Sequence, residues 1–366
     1  MPEIVPLEWT GDSLRLLDQL MLPQEQSVVT AHTHTEVISA VTNMQIRGTS
    51  LVAVAGAYAL VLASKSINTL DLQRMFNYLG DVGIEVLDAN PTNLSLEKAI
   101  SRVLLAGYST KAISSVRSHM EEEAITIHRE DLAANQLIGE IGSYLLPTEG
   151  TILTMSNSGA LATTGYGTAL GAIRSAHNRS KKLQVIVAET RPMLEGSRLT
   201  MWELVQLGIP STLIVDSASG KYIASGKVDC VVVAGDRIAP AGDVAGLIGT
   251  YPLAVIAHAN QVPFYVMSPT SNIDQSEKTW KSIELVDRES TEVLQFSKPL
   301  VVPKGITIHN PSIDITPSKY VTGIVTEKGT IEPPFVNELE KFARANTKIN
   351  QEASEEMLSG QSFAKS

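Results

Sequence analysis

The sequence predicts an α/β protein of two domains: an N-terminal helical domain, then a doubly wound parallel sheet. Three observations carry this. Apolar residues recur at three- and four-residue spacings through the first ~145 positions. The run Pro147-Thr148-Glu149-Gly150 then breaks the pattern. Beyond it, short runs that are almost wholly apolar alternate with helical stretches, as strands covered on both faces do.

Within the first part, helical spacing is read in Leu14 to Leu20, Val37 to Met44, Leu70 to Leu79 and Leu94 to Leu105. The run LVAVAGAYALVLA at 51–63 is apolar on every face and rich in Ala and Gly, so it reads as a buried helix packed closely by its neighbours. It falls short of the roughly 18 residues that a membrane span requires. In the second part the expected strands are Thr151 to Met155, Leu183 to Ala188, Thr212 to Val215, Cys230 to Val233 and Phe264 to Met267. Helical patterns at about 160–177, 198–208, 217–226 and 245–261 separate them. The predicted domains are 1–147 and 148–338, followed by a polar tail at 339–366 with too little apolar content to order itself.

Composition narrows the function. With 366 residues, 43% hydrophobic and 19% charged, the chain can bury one large core or two medium ones. A formal charge of -10 argues against nucleic acid, because phosphate backbones demand clustered Lys and Arg. The single cysteine, Cys230, can form neither an internal disulfide nor a zinc cluster and fits a reducing compartment. No basic segment followed by an apolar stretch opens the sequence, so a cytoplasmic protein with a small-molecule ligand is expected, without membrane or nucleic-acid partners. His32 and His34 form an HTH triplet in the helical half with no carboxylate at ligand spacing, so no metal is expected. His258, inside an apolar helical pattern, reads as a satisfied core residue, and Cys230 reads as strand packing.

In an open α/β sheet, ligands bind beyond the carboxyl ends of the strands. The residues there are polar: Ser156-Asn157, Glu189-Thr190-Arg191, Asp216, Gly235-Asp236-Arg237 and Ser268. Each could also be a helix cap, and Asp216-Ser217 fits that role well. Asp236 is less easily assigned to a cap, since Arg237 follows it and Gly242 and Gly249 flank a second acid, Asp243, in a loop expected to face ligand. The segment NSGALATTGYGTALGAI at 157–173 puts three glycines ahead of a helix, which suits backbone contacts to an anion, although its spacing is not that of the dinucleotide fingerprint. The segment ETRPMLEGSRLTMWEL at 189–204 brackets a proline and a glycine with two arginines and several acids, and an ion-paired loop is the simple alternative.

These segments carry a resemblance. The strings ETRP, RLT-x-WEL, DRIA, GDVA, IGTY, PFYV, DITP and GIVTEKG, with EW and LLDQ near 8–19 and M-x-IRG at 44–48, are similar to the methylthioribose-1-phosphate isomerase family over nearly the whole chain. Related folds include the regulatory subunits of initiation factor two B. The resemblance implies a helical N-terminal domain, a Rossmann-like C-terminal domain, a homodimer and no cofactor. It also implies conversion of a ring-closed aldose 1-phosphate into an open-chain ketulose 1-phosphate, by a cysteine after the first strand and an aspartate after a later one. The aspartate is present as Asp236; Ser156, followed by Asn157, stands where the family has cysteine. A serine hydroxyl is far less acidic than a thiol and needs an activating neighbour. Other positions at which the family binds substrate also depart: RGAP reads Arg47-Gly48-Thr49-Ser50, RPT reads Asn90-Pro91-Thr92, the glutamine before GxRLT is Glu195, and the NK after GDVA is Gly246-Leu247. The surrounding scaffold strings are intact, which implies a repurposed site. The expected function is an isomerase acting on an altered sugar or nucleoside-derived ligand, with Asp236 as acid or base and Ser156 orienting. The alternative is a non-catalytic metabolite-binding protein on the same fold.

Overall fold

The computed structural model describes residues 3–275, 287–294, 302–303 and 305–342. Two compact units divide it. The N-terminal unit holds Glu3–Gln136 and Ala160–Gly167, and the C-terminal unit holds Leu137–Gly159 and Thr168–Glu340. The division falls inside a helix, ahead of the 147–150 turn at which the apolar pattern changes, because that helix carries its apolar face on without a break.

The N-terminal unit opens with three short strands, β1 (Leu7–Trp9), β2 (Leu14–Leu17) and β3 (Val28–Ala31), in an antiparallel sheet of order β1-β2-β3. The expectation of helix over Leu14 to Leu20 is therefore corrected. Strands of three or four residues are too short for a period-two signal to outweigh chance three- and four-residue spacings. Helices follow at α1 (His34–Thr42), α2 (Thr49–Ser66), α3 (Leu72–Asp88), α4 (Leu94–Tyr108) and α5 (Ile113–Leu145), the last running into the C-terminal unit. The HTH triplet is a helix start: Thr33 caps α1, and the Glu36 carboxylate accepts the His32 and Thr33 amides in return. Helix α2 is long and apolar enough to cross a membrane by length and composition, but 83% of that stretch is buried inside the protein. A Cβ on Gly56 would lie 2.4 Å from Leu96 Cδ1, so glycine is what lets α2 and α4 approach.

The C-terminal unit contains a seven-stranded sheet. Its strands are β4 (Glu149–Thr154), β5 (Lys182–Ala188), β6 (Ser211–Ile214), β7 (Cys230–Ala234), β10 (Phe264–Met267), β12 (Gly323–Thr326) and β13 (Gly329–Ile331). The order is β13-β12-β10-β7-β4-β5-β6, parallel except for β13. The chain starts at β4, runs outward to β6, then returns to the other side of β4 at β7, so the order reverses between β4 and β7. Helices α6 (Ala169–Asn178), α7 (Met201–Gln206), α8 (Ser219–Ala224) and α9 (Thr250–Ala259) connect the strands. Cys230 is buried in β7, where burial pushes its thiol up to about 12.

Three readings change here. The helical pattern at 245–261 begins with a strand, β9 (Val244–Leu247), which joins β8 (Arg237–Ile238) and β11 (Ile313–Thr316) in a small antiparallel sheet of order β11-β9-β8. His258 lies in the last turn of α9, exposed, with its ring edge-on to Tyr320, because the apolar stripe of α9 faces away from it. Leu339, at the expected start of a loose tail, is fully buried, and residues 343–366 lie outside the described residues.

Candidate active site

The two candidate reacting groups follow adjacent strands. Ser156 comes just after β4 and Asp236 just after β7, and these strands pair with Ile152 opposite Cys230. They flank the point where the strand order reverses, which is where an open parallel sheet leaves a crevice at its carboxyl edge. The fully buried Thr154 ties the two strands together by donating to the Val232 carbonyl at 2.8 Å.

Ser156 is buried and sits in the left-handed region, with φ +70°. Its amide donates to Thr190 Oγ1 at 2.9 Å and its carbonyl accepts from Thr200 Oγ1 at 2.5 Å. Asp236 is half-buried, and its amide bonds the Ala245 carbonyl at 2.9 Å, turning the chain from β7 into β8. The preceding Gly235 admits no side chain, since a Cβ would lie 2.8 Å from Val266 Cγ1. Its carbonyl accepts from Ser268 Oγ at 2.7 Å and Asn272 Nδ2 at 3.0 Å. Asp236 therefore stands on a backbone anchored from β10. Such a carboxylate can exchange a proton with a ligand oxygen, whereas a serine hydroxyl held this way can orient one.

The neighbouring charges are mostly committed to structure. Arg237 Nε donates to the buried Asp274 at 2.7 Å, and its Nη2 bonds the same oxygen. Asp243 accepts the Ser318 amide at 2.8 Å, so its carboxylate holds the start of the turn after β11, in a loop read from sequence as ligand-facing. Asp216 is not a cap for the short helix it opens: its two oxygens take the Thr190 and Arg191 amides at 2.5 and 2.8 Å. Glu189 accepts from the Ser197 amide and hydroxyl, and Arg191 and Arg198 bond the carbonyls of Val293 and Met193. The α6 N-terminus, read as an anion cradle, is occupied from within, because the Ser158 carbonyl accepts the Thr168 and Leu170 amides at 3.0 and 3.3 Å. Glu195 is buried at the start of a π-helical turn, Gly196–Thr200. The Arg288 guanidinium, paired twice with Glu292, is held protonated by those bonds and further by the charge of Glu195. Gly246 and Leu247 lie in β9 opposite Asp314 and Ile313.

The remaining candidates belong to the N-terminal unit, where three turns meet. Arg47 is buried, and Gly48 precedes α2 with φ +102°. A Cβ on Gly48 would lie 2.3 Å from the Ala162 carbonyl, so the Arg47-Gly48-Thr49 turn packs directly on the 160–162 turn. Asn90 lies between α3 and α4, and that turn is tied to the first by Asn93, which donates to the Thr49 carbonyl at 3.0 Å. Asp131 on α5 secures the third turn by accepting the Thr164 amide and hydroxyl at 3.0 and 2.7 Å. Burial pushes the Asp131 carboxyl up, and these bonds partly offset that. Thr200, Asn272 and Asp131 were not singled out from the sequence, since their roles rest on partners far away in the chain.

Comparison with known proteins agrees with this architecture. The Initiation factor 2 subunit family matches residues 45–333. A methylthioribose-1-phosphate isomerase from Acetivibrio thermocellus is 43% identical over 92% of this chain and 99% of its own length. One from Pelotomaculum thermopropionicum is 41% identical over 92% and 93%. Among solved structures, the 5-methylthioribose 1-phosphate isomerase from Pyrococcus horikoshii OT3 superposes with a TM-score of 0.84 at 32% identity, covering 94% of this chain and 96% of that one. The translation initiation factor eIF-2B subunit delta from A. fulgidus does so at 0.82 and 35%, covering 93% and 99%. Identity at this level over almost the full length, on a shared fold, has one consequence: the chain belongs to the methylthioribose-1-phosphate isomerase family, within the larger initiation factor 2 subunit family.

Proposed function

We propose that this protein is an isomerase of that family whose substrate is a sugar or nucleoside-derived compound with less phosphate character than methylthioribose 1-phosphate. Asp236 serves as general acid or base at a ring or carbinol oxygen, and Ser156 with Asn157 orients the substrate. The observation that carries the reading is the placement of Ser156 after β4 and of Asp236 after β7, on either side of the strand-order reversal. The altered ligand follows from charge. Asn90, Glu195, Gly246 and Leu247 supply no cation where the family pattern has arginine, glutamine, asparagine and lysine, and Glu195 adds a negative charge beside Arg288. A dianionic phosphate loses the charge-assisted bonds that such cations would give it. The protein works without a cofactor, in the cytoplasm, as a homodimer through the C-terminal unit, by the apolar stretch near Ile248 to Ala257.

Ser156 supports a second reading, a non-catalytic metabolite-binding protein, because the hydroxyl cannot replace a thiol in proton transfer without an activating base. Native mass spectrometry of the purified protein, followed by carbon-13 NMR of aldose and ketose forms of the retained compound, separates the two. Interconversion of a bound sugar supports the isomerase. Retention without conversion favours the binding protein, and turnover of methylthioribose 1-phosphate near 10 per second, a typical metabolic rate, overturns the altered-ligand reading.

A further inference from the structure

The carboxyl ends of three neighbouring strands are linked by hydrogen bonds that converge on one residue. At the end of β6, the Asp216 carboxylate accepts the Thr190 amide at 2.5 Å and the Arg191 amide at 2.8 Å. At the end of β5, the Thr190 hydroxyl donates to the Ala188 carbonyl at 3.1 Å, which leaves its oxygen free to accept the Ser156 amide at 2.9 Å. From the π-helical turn, Thr200 completes the set by donating to the Ser156 carbonyl at 2.5 Å. Every proton in this chain has an unambiguous direction, since a carboxylate only accepts and a carbonyl only accepts.

We infer that Asp216, Thr190 and Thr200 are positioning residues for the side chain at position 156. Both Ser156 and Thr190 hold left-handed backbone, with φ +70° and +65°, and both are buried. This region is disfavoured for residues with a Cβ and is a genuine outlier for a β-branched one. Glycine would relieve the cost at 190, but glycine has no hydroxyl. A threonine kept where glycine fits the backbone better marks the hydroxyl as the needed group. Left-handed backbone at 156 also sets where its Cβ points: the side chain leaves the strand end in a different direction than φ below zero would give it, and the two threonine bonds hold it there. Strain of this kind persists only where surrounding bonds over-determine it, and it concentrates at functional sites.

The inference rests on the reading of position 156 as part of the reacting centre, so the test has one arm that does not. In a Ser156→Cys protein, the new thiol can be followed by iodoacetamide alkylation, because the only native cysteine, Cys230, is buried in β7 with its thiol pushed up to about 12. Adding Thr190→Val, which keeps shape and removes the hydroxyl, is expected to change the alkylation rate of the residue-156 thiol at least fivefold. Thr190→Ser, which restores the hydroxyl, should return it to within twofold. Thr190→Gly covers the case in which valine unfolds the protein: it relieves the backbone at 190 while removing the same hydroxyl, so it should fold and still show the fivefold change. An alkylation rate unaltered by both Thr190→Val and Thr190→Gly overturns the inference. The second arm measures the residual conversion of methylthioribose 1-phosphate that the Ser156→Cys protein supports despite its altered pocket, with kcat expected to fall at least tenfold on Thr190→Val and KM to stay within threefold. If alkylation responds while kcat does not, the positioning stands and the reacting-centre reading of residue 156 fails.

Discussion

Replacing Asp236 with asparagine tests the proton-transfer role while leaving the backbone bonds around it in place. Asparagine keeps the size and one acceptor oxygen, and removes the negative charge and the ability to exchange a proton. The backbone beneath it is fixed independently of the side chain, by the Asp236 amide on Ala245 and by the two donors on the Gly235 carbonyl. Asp236 is half-buried, so the change in folding free energy should stay below about 1 kcal/mol. Loss of a general acid or base costs on the order of 10²–10⁴ in rate, or about 3–5 kcal/mol of barrier. The measurement is conversion of methylthioribose 1-phosphate by phosphorus NMR in a Ser156→Cys background, where the family's thiol and carboxylate are both present, together with turnover of whatever substrate the wild type is found to use. Asp236→Asn should cut both by a hundredfold or more with an unchanged melting profile. Ser156→Ala in the wild type should cut turnover less than Asp236→Asn does, because orientation contributes less than proton transfer. Full activity in Asp236→Asn, or unfolding of that variant, makes Asp236 structural and moves the binding protein ahead of the enzyme.

Three further outcomes can be measured. Burial pushes the Asp314 carboxyl up to about 6, against the pull of the Gly249 and Tyr251 amides that it accepts at the start of α9. The folded protein therefore keeps a proton there that the unfolded chain has lost, so this group's contribution to stability falls as pH rises from about 4 to about 6, by at most about 3 kcal/mol. Thermal unfolding should show Asp314→Asn gaining on the wild type between pH 4 and pH 7, and a difference independent of pH would refute it. Gly196→Ala places a methyl 2.2 Å from the Ala188 carbonyl and 2.6 Å from that of Glu189, so denaturant titration should register a loss of about 1–3 kcal/mol or more, and a loss below 0.5 would contradict the close approach. Sedimentation at micromolar concentration should give a homodimer, and a clean 39.4 kDa monomer would exclude it.

What could be read in the chain was whatever is local in sequence. The strands β4, β5, β6, β7 and β10 each appear as an apolar run within a residue or two of its observed bounds; in the central β7 and β10 this is because a strand covered on both faces must be apolar throughout, whereas β6 is an edge strand and largely exposed. The all-round apolar character of α2 marks it as buried for the same reason. The placement of Asp236 and Ser156 was also legible, since the residues after such runs lie at the sheet's carboxyl edge. The short strands β1 to β3 were hidden because three or four residues carry too little periodicity, and β9 because its residues continue the apolar run into α9. Tertiary structure alone decided the strand order, and with it that β4 and β7 are neighbours. It alone turned Asp216 from an apparent helix cap into an anchor for Thr190, and gave Ser156 its left-handed backbone. Those facts depend on hydrogen bonds between residues 26, 34 and 44 positions apart, and no local pattern of residue types encodes a partner at that distance.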